Sequence, residues 1–206
     1  MWALIEDGSI TKTINNPRGM IIDDIQYSRK IFELWSKSEL EAKGIYEVEF
    51  DNTNKKDEQW YTNTDQSFAF AGGKITASYG SATAKAHADT LFTAQDESDG
   101  KGTEGEVKAE GLKTKLIRDL KKEAANILAE TDWYILRKAD ADTAIPSAIT
   151  NHRAAVRTKC ASMETSITNA SNTAALETLY TYVNTADEGD PVVLERPLGE
   201  LPTLEV

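Results

Sequence analysis

The stretch SFAFAGGKITASY, residues 67–79, decides the fold of the first part of the chain. Two runs rich in aromatic and β-branched residues, 67–71 and 74–79, flank the pair Gly72-Gly73. A glycine pair adopts the positive φ angles of the tight turns whose twist matches that of paired strands. The pattern therefore predicts a β-hairpin.

Working outward toward the N-terminus, the same kind of signal recurs. Residues 45–50, IYEVEF, alternate between apolar and acidic side chains, as in a half-buried strand. Residues 2–5 and 9–14 flank Glu6-Asp7-Gly8, a turn sequence that favours another hairpin. We expect an antiparallel β-rich domain over residues 1–80.

One short helix interrupts the predicted strands. Ser36 and Glu39 have the spacing of a capping box, in which each side chain bonds the backbone N–H of the other residue. Gly44 stands where a C-terminal cap belongs. The spacing predicts a helix over residues 39–43.

Toward the C-terminus the composition becomes rich in alanine, and apolar residues recur at helical spacing. We expect a helix over residues 84–95 and an acidic linker, together spanning residues 81–106, followed by a helical domain over residues 107–183. Within that domain the expected helices are a long one over residues 107–130, its partner in an antiparallel hairpin beginning near Pro146, and a short one over residues 173–183. The predicted fold class is α+β, with a β-rich N-terminal domain, a C-terminal helical hairpin, an extra short helix and an extended tail.

The predicted tail, residues 184–206, combines features of a solvated segment and of a docking segment. It holds three prolines, and one arginine stands against six acidic residues. It also keeps apolar residues that a purely solvating tail lacks. They are Val192, Val193, Leu194, Leu198 and Leu201. We expect these residues to dock on a neighbouring subunit, with a solvated end as the alternative.

Composition excludes some classes of partner. The 206 residues are 40% hydrophobic and carry a formal net charge of −11, whereas nucleic-acid binding needs clustered Lys and Arg. Apolar runs such as Val192-Val193-Leu194 are too short to cross a bilayer, and Met1–Ile5 does not resemble a signal peptide because acidic residues follow at once. We expect no nucleic-acid binding, no membrane insertion and folding in a cytoplasm.

Constellations for catalysis are missing from the sequence. His87 and His152 have no His or Cys at metal-ligand spacing, and no nucleophile stands in a catalytic motif. The lone Cys160 lies in an apolar helical stripe, where it serves as a small hydrophobic residue. We therefore expect a protein that is not an enzyme and uses no cofactor.

A calcium-like pattern surrounds Gly100. Glu97, Asp99 and Glu106 stand at ligand positions of an EF-hand loop with Gly100 at its sharp turn, but Gln95 occupies the first position, which is normally acidic. We predict a flexible acidic connector and no metal site.

The most informative local pattern lies between the two long predicted helices. Asp132 and Trp133 follow the end of the first helix, and Arg153 and Arg157 stand four residues apart in the second. We expect Trp133 to fold back under the hairpin, and Asp132 to accept a charge-assisted hydrogen bond from the arginine edge. These four residues form a predicted helix corner or partner interface.

At these residues the chain resembles phage tail-fibre assembly and tail assembly chaperone-like proteins. The resemblance rests on a helix ending in Leu-x-x-x-Asp-Trp, a spacer with proline and a second helix with an Arg-x-x-Val-Arg pattern. The matching residues are Leu128, Asp132, Trp133, Pro146, His152, Arg153, Val156 and Arg157. Residues 31–36, 39–40 and 44–48 are also similar to early segments of such proteins and of marine-phage tail proteins.

The resemblance implies a non-enzymatic bacteriophage tail component, either a fibre, a baseplate attachment or a fibre cap. Its expected partners are phage tail or fibre proteins and further copies of itself, and its expected location is the virion after assembly in the host cytoplasm. The alternative is a transient tail-fibre assembly chaperone that leaves before the particle is complete. The predicted helix after Ser171 and the tail depart from the short chaperone pattern, which favours a retained component.

Overall fold

The computed structural model describes residues 1–204 and divides into two compact units, one over residues 1–83 and one from residue 84 onward. The first unit is rich in strands and the second in helices, so the predicted α+β class is confirmed. The elements of the first unit are β1 (Trp2–Glu6), β2 (Ser9–Ile14), β3 (Met20–Ile22), β4 (Ile25–Tyr27), α1 (Ile31–Leu34), α2 (Lys37–Glu41), β5 (Ile45–Asp51), β6 (Tyr61–Thr62), β7 (Gln66–Ala71) and β8 (Lys74–Tyr79). A two-residue strand, β9 (Thr83–Ala84), lies at the boundary.

The main sheet of the first unit has five strands in the order β2-β1-β5-β8-β7. Both predicted hairpins are present as β1–β2 and β7–β8, but β5 and β8 pair in parallel. The expectation of a wholly antiparallel domain is therefore wrong for this pair. The reason is connectivity, since the chain returns through β7 before β8 reaches the free edge of β5.

Both faces of this sheet are covered. Ala3 and Leu4 are neighbours on β1 and point to opposite faces, yet both are buried. Leu4 belongs to an apolar cluster that also contains Ile45 and the first helix residue, Ile31. Ala3 belongs to a separate cluster with Val48 and Ile75. The short elements between β2 and β5 thus supply the layer that buries one face.

The predicted capping box is confirmed, but α2 spans Lys37–Glu41 instead of residues 39–43, and its C-cap is Ala42 instead of Gly44. Ser36 and Glu39 form both hydrogen bonds of the capping box. Gly44 has φ +73°, and a Cβ added there would lie 2.5 Å from the carbonyl oxygen of Ile5. Only glycine fits this approach, which lets β5 begin directly beside β1.

As far as residue 204, the second unit contains short strands, one five-residue helix and four longer helices. Its elements are β10 (Thr90–Leu91), α3 (Ala94–Ser98), β11 (Val107–Ala109), α4 (Leu112–Ala129), α5 (Asp132–Ala141), α6 (Ser147–Asn169), α7 (Thr173–Tyr180), β12 (Val183–Asn184) and β13 (Leu194–Glu195).

The predicted antiparallel hairpin is formed by α4 and α6. Lys113 at the start of α4 donates to the carbonyl oxygen of Thr168 at the end of α6 at 2.7 Å, and Lys121 pairs with Glu164 at 2.7 Å. The facing apolar residues are buried: Leu112, Leu120, Ala124, Ile149, Val156, Met163 and Ile167. Cys160 lies half-buried in the same stripe, and burial raises the pKa of its thiol.

The helix predicted over residues 84–95 is wrong. Instead, the carbonyl oxygens of Ala86 and His87 accept hydrogen bonds from Leu112 and Lys113, the first N–H groups of α4. Gly111 approaches this segment so closely that a Cβ there would lie 2.3 Å from the Ala88 carbonyl oxygen. Alanine has the highest intrinsic helix propensity, but tertiary contacts often override this preference, and here the segment satisfies two N–H groups at the start of a long helix. The long helix accordingly begins at Leu112, and residues 107–109 are the strand β11.

Asp89 completes this external cap, because its carboxylate accepts from the Gly111 N–H and the Thr114 hydroxyl, each at 2.7 Å. The Thr114 hydroxyl, and after it the Gly111 N–H, lower the pKa of Asp89. The unfolded chain therefore binds this proton more readily, so the stabilisation is present above the ordinary carboxyl range and is lost as pH falls through the lowered pKa.

We expect Asp89→Ala to lower the Tm at about pH 7 and to have a smaller effect near pH 2, because the stabilisation by the carboxylate is lost as pH falls through its lowered pKa. Thermal melts of both proteins at the two pH values measure this. Equal differences in Tm at both values would show that the charge of Asp89 does not support the cap.

Candidate functional site

A buried arginine joins the helices at the predicted corner. Arg153 on α6 is 7% exposed, and its Nη1 donates to the carbonyl oxygen of Leu128 at 2.6 Å and to the Thr131 hydroxyl at 2.7 Å. Its Nη2 lies 2.9 Å from the Asp132 carboxylate. The Arg153 guanidinium thus contacts the last turn of α4, Thr131 between the two helices, and Asp132, the first residue of α5. The predicted contact between Asp132 and Arg153 is present.

Arg157 takes no part in this contact. Its Nη1 lies 3.5 Å from the carbonyl oxygen of Arg153 in the same helix, and its side chain is exposed. A spacing of four residues places the two arginines along one edge of α6, but only Arg153 lies deep enough to reach the end of α4. Of the four residues predicted at the corner, the structure joins Asp132 and Arg153 directly.

The prediction for Trp133 is wrong, because its side chain is 49% exposed and does not fold back under the hairpin. The segment expected as a spacer before Pro146 is the ten-residue helix α5, which carries Trp133 outward in its first turn. The helix ends at Ala141, and the cap residue Asp142 follows with a φ of +51°. Lys138 lies 2.5 Å from the Asp142 carboxylate. Sequence reasoning missed α5 because its apolar residues do not form a single stripe.

One side of α5 carries a stacked aromatic and cationic cluster. The ring centroids of Trp133 and Tyr134 lie 3.8 Å apart, and the Arg137 guanidinium lies 4.7 Å from the Trp133 ring and 5.5 Å from the Tyr134 ring. Leu136, which neighbours Trp133 on the helix surface, is 69% exposed. We call Trp133, Tyr134, Leu136 and Arg137 the α5 surface. No residue of α5 is buried.

A second exposed apolar region lies in the predicted tail. β12 and β13 pair antiparallel, with Asn184 opposite Leu194. The Asn184 side chain also accepts from the Val193 N–H at 3.0 Å, which holds the connecting loop. We call residues 182–195 the C-terminal ribbon. Its exposed apolar residues are Tyr182, Val183, Val192, Val193 and Leu194.

The remaining tail residues predicted to dock on a neighbour are buried in their own chain. Leu198 is 3% exposed, and its N–H donates to the Leu179 carbonyl oxygen at 3.0 Å, while Leu201 is also buried. Arg196 stacks on the rings of Tyr180 and Tyr182 at 5.3 and 5.6 Å. The tail is therefore packed on its own unit around Leu198 and Leu201, and the prediction of docking on a neighbour is wrong for these two residues.

The loop with calcium-like spacing is held by lysines. Lys108 donates to Asp96 at 2.8 Å, and Lys101 donates to Asp99 at 2.8 Å. The long helices that would flank an EF-hand are absent between residues 94 and 109, where a five-residue helix and a three-residue strand stand. Among residues 1–204, no group of three or more His, Cys, Asp or Glu side chains is placed to hold a metal ion.

We predict that calorimetric titration with calcium detects no binding tighter than about 10⁻³ M, the weak end of protein calcium sites. The contact between Lys101 and Asp99 would have to break before Asp99 could turn toward Glu97 and Glu106. A micromolar binding event that Glu106→Gln abolishes would contradict this prediction.

Within residues 1–204, no helix is long and apolar enough to span a membrane. No family model, curated protein or solved structure matches the chain.

Proposed function

We propose that the chain is a non-enzymatic component of a bacteriophage tail, part of a fibre, a baseplate attachment or a fibre cap, and that it acts through protein–protein contacts. The observation that carries the proposal is the α5 surface. No side chain of this helix is fully buried, and the helix presents a tryptophan and a leucine to the outside. Such a helix contributes little to its own fold, and it provides the kind of surface that a partner protein covers.

The composition of the α5 surface suits this role. Trp, Tyr and Arg are the residues that most often dominate the energy of protein interfaces, and here Trp133, Tyr134 and Arg137 stack on one another. Stacking holds these side chains in place before a partner arrives, so less side-chain entropy is lost on binding. Leu136 adds an aliphatic contact beside them.

The corner explains how so short a helix is held. Isolated helices of ten residues are marginal in water. Here Arg153 fixes the first residue of α5 through Asp132, and the same guanidinium fixes the end of α4. Three residues of the sequence resemblance therefore hold the helix that exposes Trp133. They are Leu128, Asp132 and Arg153. This agreement between motif and geometry supports the phage-tail context of the proposal.

The alternative function, a transient tail-fibre assembly chaperone, would use the same surface. The two differ in what remains after assembly. We expect mass spectrometry of purified phage particles to find the chain in a fixed ratio to a tail protein. Its absence from particles, together with its presence in complexes with fibre protein in the infected cell, would favour the chaperone.

We predict that Trp133→Ala changes the free energy of unfolding by less than about 1 kcal/mol, because a half-exposed ring leaves no large cavity. The incorporation of this variant into particles, measured by mass spectrometry and compared with the parent, should fall strongly because an interface anchor is lost. Lys138→Ala on the same helix is the matched control and should be incorporated normally. Normal incorporation of Trp133→Ala would remove the α5 surface from the proposed function.

A further inference from the structure

The α5 surface carries a cation that its own unit does not neutralise. Within residues 1–204, no ion pair involves Arg137, although Arg153 and Lys138 each have a carboxylate partner. The Nε atom of Arg137 is buried and makes no hydrogen bond. The stacked rings of Trp133 and Tyr134 hold the guanidinium in place. A fixed guanidinium beside an exposed leucine fits a partner segment that combines an acidic group with aliphatic side chains.

The C-terminal ribbon has this composition. Its loop carries Asp187, Glu188 and Asp190, and the apolar residues Val192 and Leu194 follow within a few positions. All five side chains are exposed. Among the ion pairs of residues 1–204, none involves the three acidic residues of this loop. The ribbon therefore presents unneutralised negative charge next to exposed aliphatic groups.

We infer that the C-terminal ribbon of one copy of this chain docks on the α5 surface of a second copy. The inference rests on the proposed function and names one partner of the α5 surface. The acidic loop faces Arg137, while Val192 and Leu194 cover Trp133 and Leu136. The contact buries apolar surface that both regions leave in water, and complementary charge fixes its register.

A second copy of the chain fits the α5 surface better than an inorganic anion or a phosphate backbone does. An inorganic anion or a phosphate backbone would leave Trp133 and Leu136 uncovered. Because the contact joins two different surfaces, a two-fold dimer contains it twice, and a closed ring contains it once per copy.

Two charge-reversed variants test the inference. In the first, Arg137→Glu, the α5 surface repels the parent ribbon. In the second, Asp187→Lys with Glu188→Lys, the ribbon repels the parent α5 surface. We expect light scattering on the full chain to show self-association by the parent, and association on the order of 100-fold weaker for either variant alone.

Mixing the two variants supplies the decisive result. The reversed α5 surface of one then meets the reversed ribbon of the other, and the two unchanged surfaces also complement each other. We expect equimolar mixing to restore the assembled mass, and a chain with all three substitutions to assemble by itself. Restoration also shows that both variants are folded. Matched controls, Lys138→Glu on α5 and Glu104→Lys with Glu106→Lys outside the ribbon, should assemble like the parent.

The inference is overturned if the parent stays monomeric at about 10⁻⁴ M, well above the range of specific interfaces, or if either variant assembles like the parent. Failure of mixing to restore assembly also overturns it. These outcomes leave the proposed function standing as long as Trp133→Ala still lowers incorporation into particles. Conversely, mixing could restore assembly of a chain that mass spectrometry does not find in particles. That result would support the contact between the ribbon and the α5 surface and contradict the proposal of a retained tail component.

Discussion

Replacing Arg153 with methionine is expected to lower the free energy of unfolding by about 1–3 kcal/mol. The substitution keeps much of the aliphatic stem but removes the donors to the Leu128 carbonyl and the Thr131 hydroxyl. Thr131 is 2% exposed, so water does not replace the lost donor. The Thr131 hydroxyl oxygen is then a buried acceptor without a donor, which costs about 1–3 kcal/mol. The Leu128 carbonyl keeps the Thr131 N–H and hydroxyl as donors, and the contact with the half-exposed Asp132 adds only a small amount.

Arg157→Met is the matched control, because Arg157 is exposed and bonds only to a carbonyl of its own helix. It should change the free energy of unfolding by less than about 0.5 kcal/mol. Urea unfolding followed by circular dichroism measures both variants. If Arg153→Met unfolds at the same urea concentration as the parent, the guanidinium does not hold the corner.

The second large effect is expected in the tail. Leu198→Ala should destabilise the chain by about 2–5 kcal/mol, because a leucine that is nearly inaccessible to water leaves a cavity when truncated. Val192→Ala, six residues earlier and 70% exposed, should change stability by less than about 0.5 kcal/mol. Thermal or urea unfolding of the two variants gives the comparison.

The same pair of variants separates the two roles of the tail. Leu198 anchors the segment to its own unit, whereas Val192 belongs to the surface that we infer docks on a second copy. If Leu198→Ala left stability unchanged and reduced only assembly, the tail would dock between chains over its whole length. Equal destabilisation by the two substitutions would show that the ribbon also packs on its own chain.

Local signals predicted the elements whose geometry they determine. Asp7 and Gly8 adopt φ angles of +51° and +76°, and Gly72 and Gly73 adopt +58° and +74°, so both hairpins form where the turn residues allow them. The helix α6 follows Pro146, and its apolar spacing marks the residues that it buries. The bond between Asp132 and Arg153 was also predictable from the ends of two helices.

Other features depend on tertiary contacts that no local pattern contains. The hairpin β3–β4 turns through Asp23 and Asp24, both at positive φ, without the glycine that usually marks such a turn. The segment before α4 is rich in alanine, yet its carbonyls cap a helix more than twenty residues away. Hydrophobicity alone also did not separate Leu198, which packs on its own chain, from Leu194, which stays exposed.

The exposure of Trp133 is the feature of the candidate site that the sequence predicted least well. A large aromatic residue at a helix end is most economically explained as a covering of the core, and burial was accordingly expected. The backbone instead continues as α5 and turns the ring outward. The residue that was expected to stabilise the fold therefore lies on the surface that we propose contacts a partner.

A photo-reactive residue placed at position 136, on the α5 surface, tests the central claim most directly. Particles assembled with this chain are purified and irradiated, and mass spectrometry identifies what position 136 contacts. We predict cross-links to protein within the particle, either to the C-terminal ribbon of a second copy or to a tail protein. Particles that contain the chain but give no cross-link from position 136, while a photo-reactive residue elsewhere on the chain reacts with a neighbour, would contradict the account.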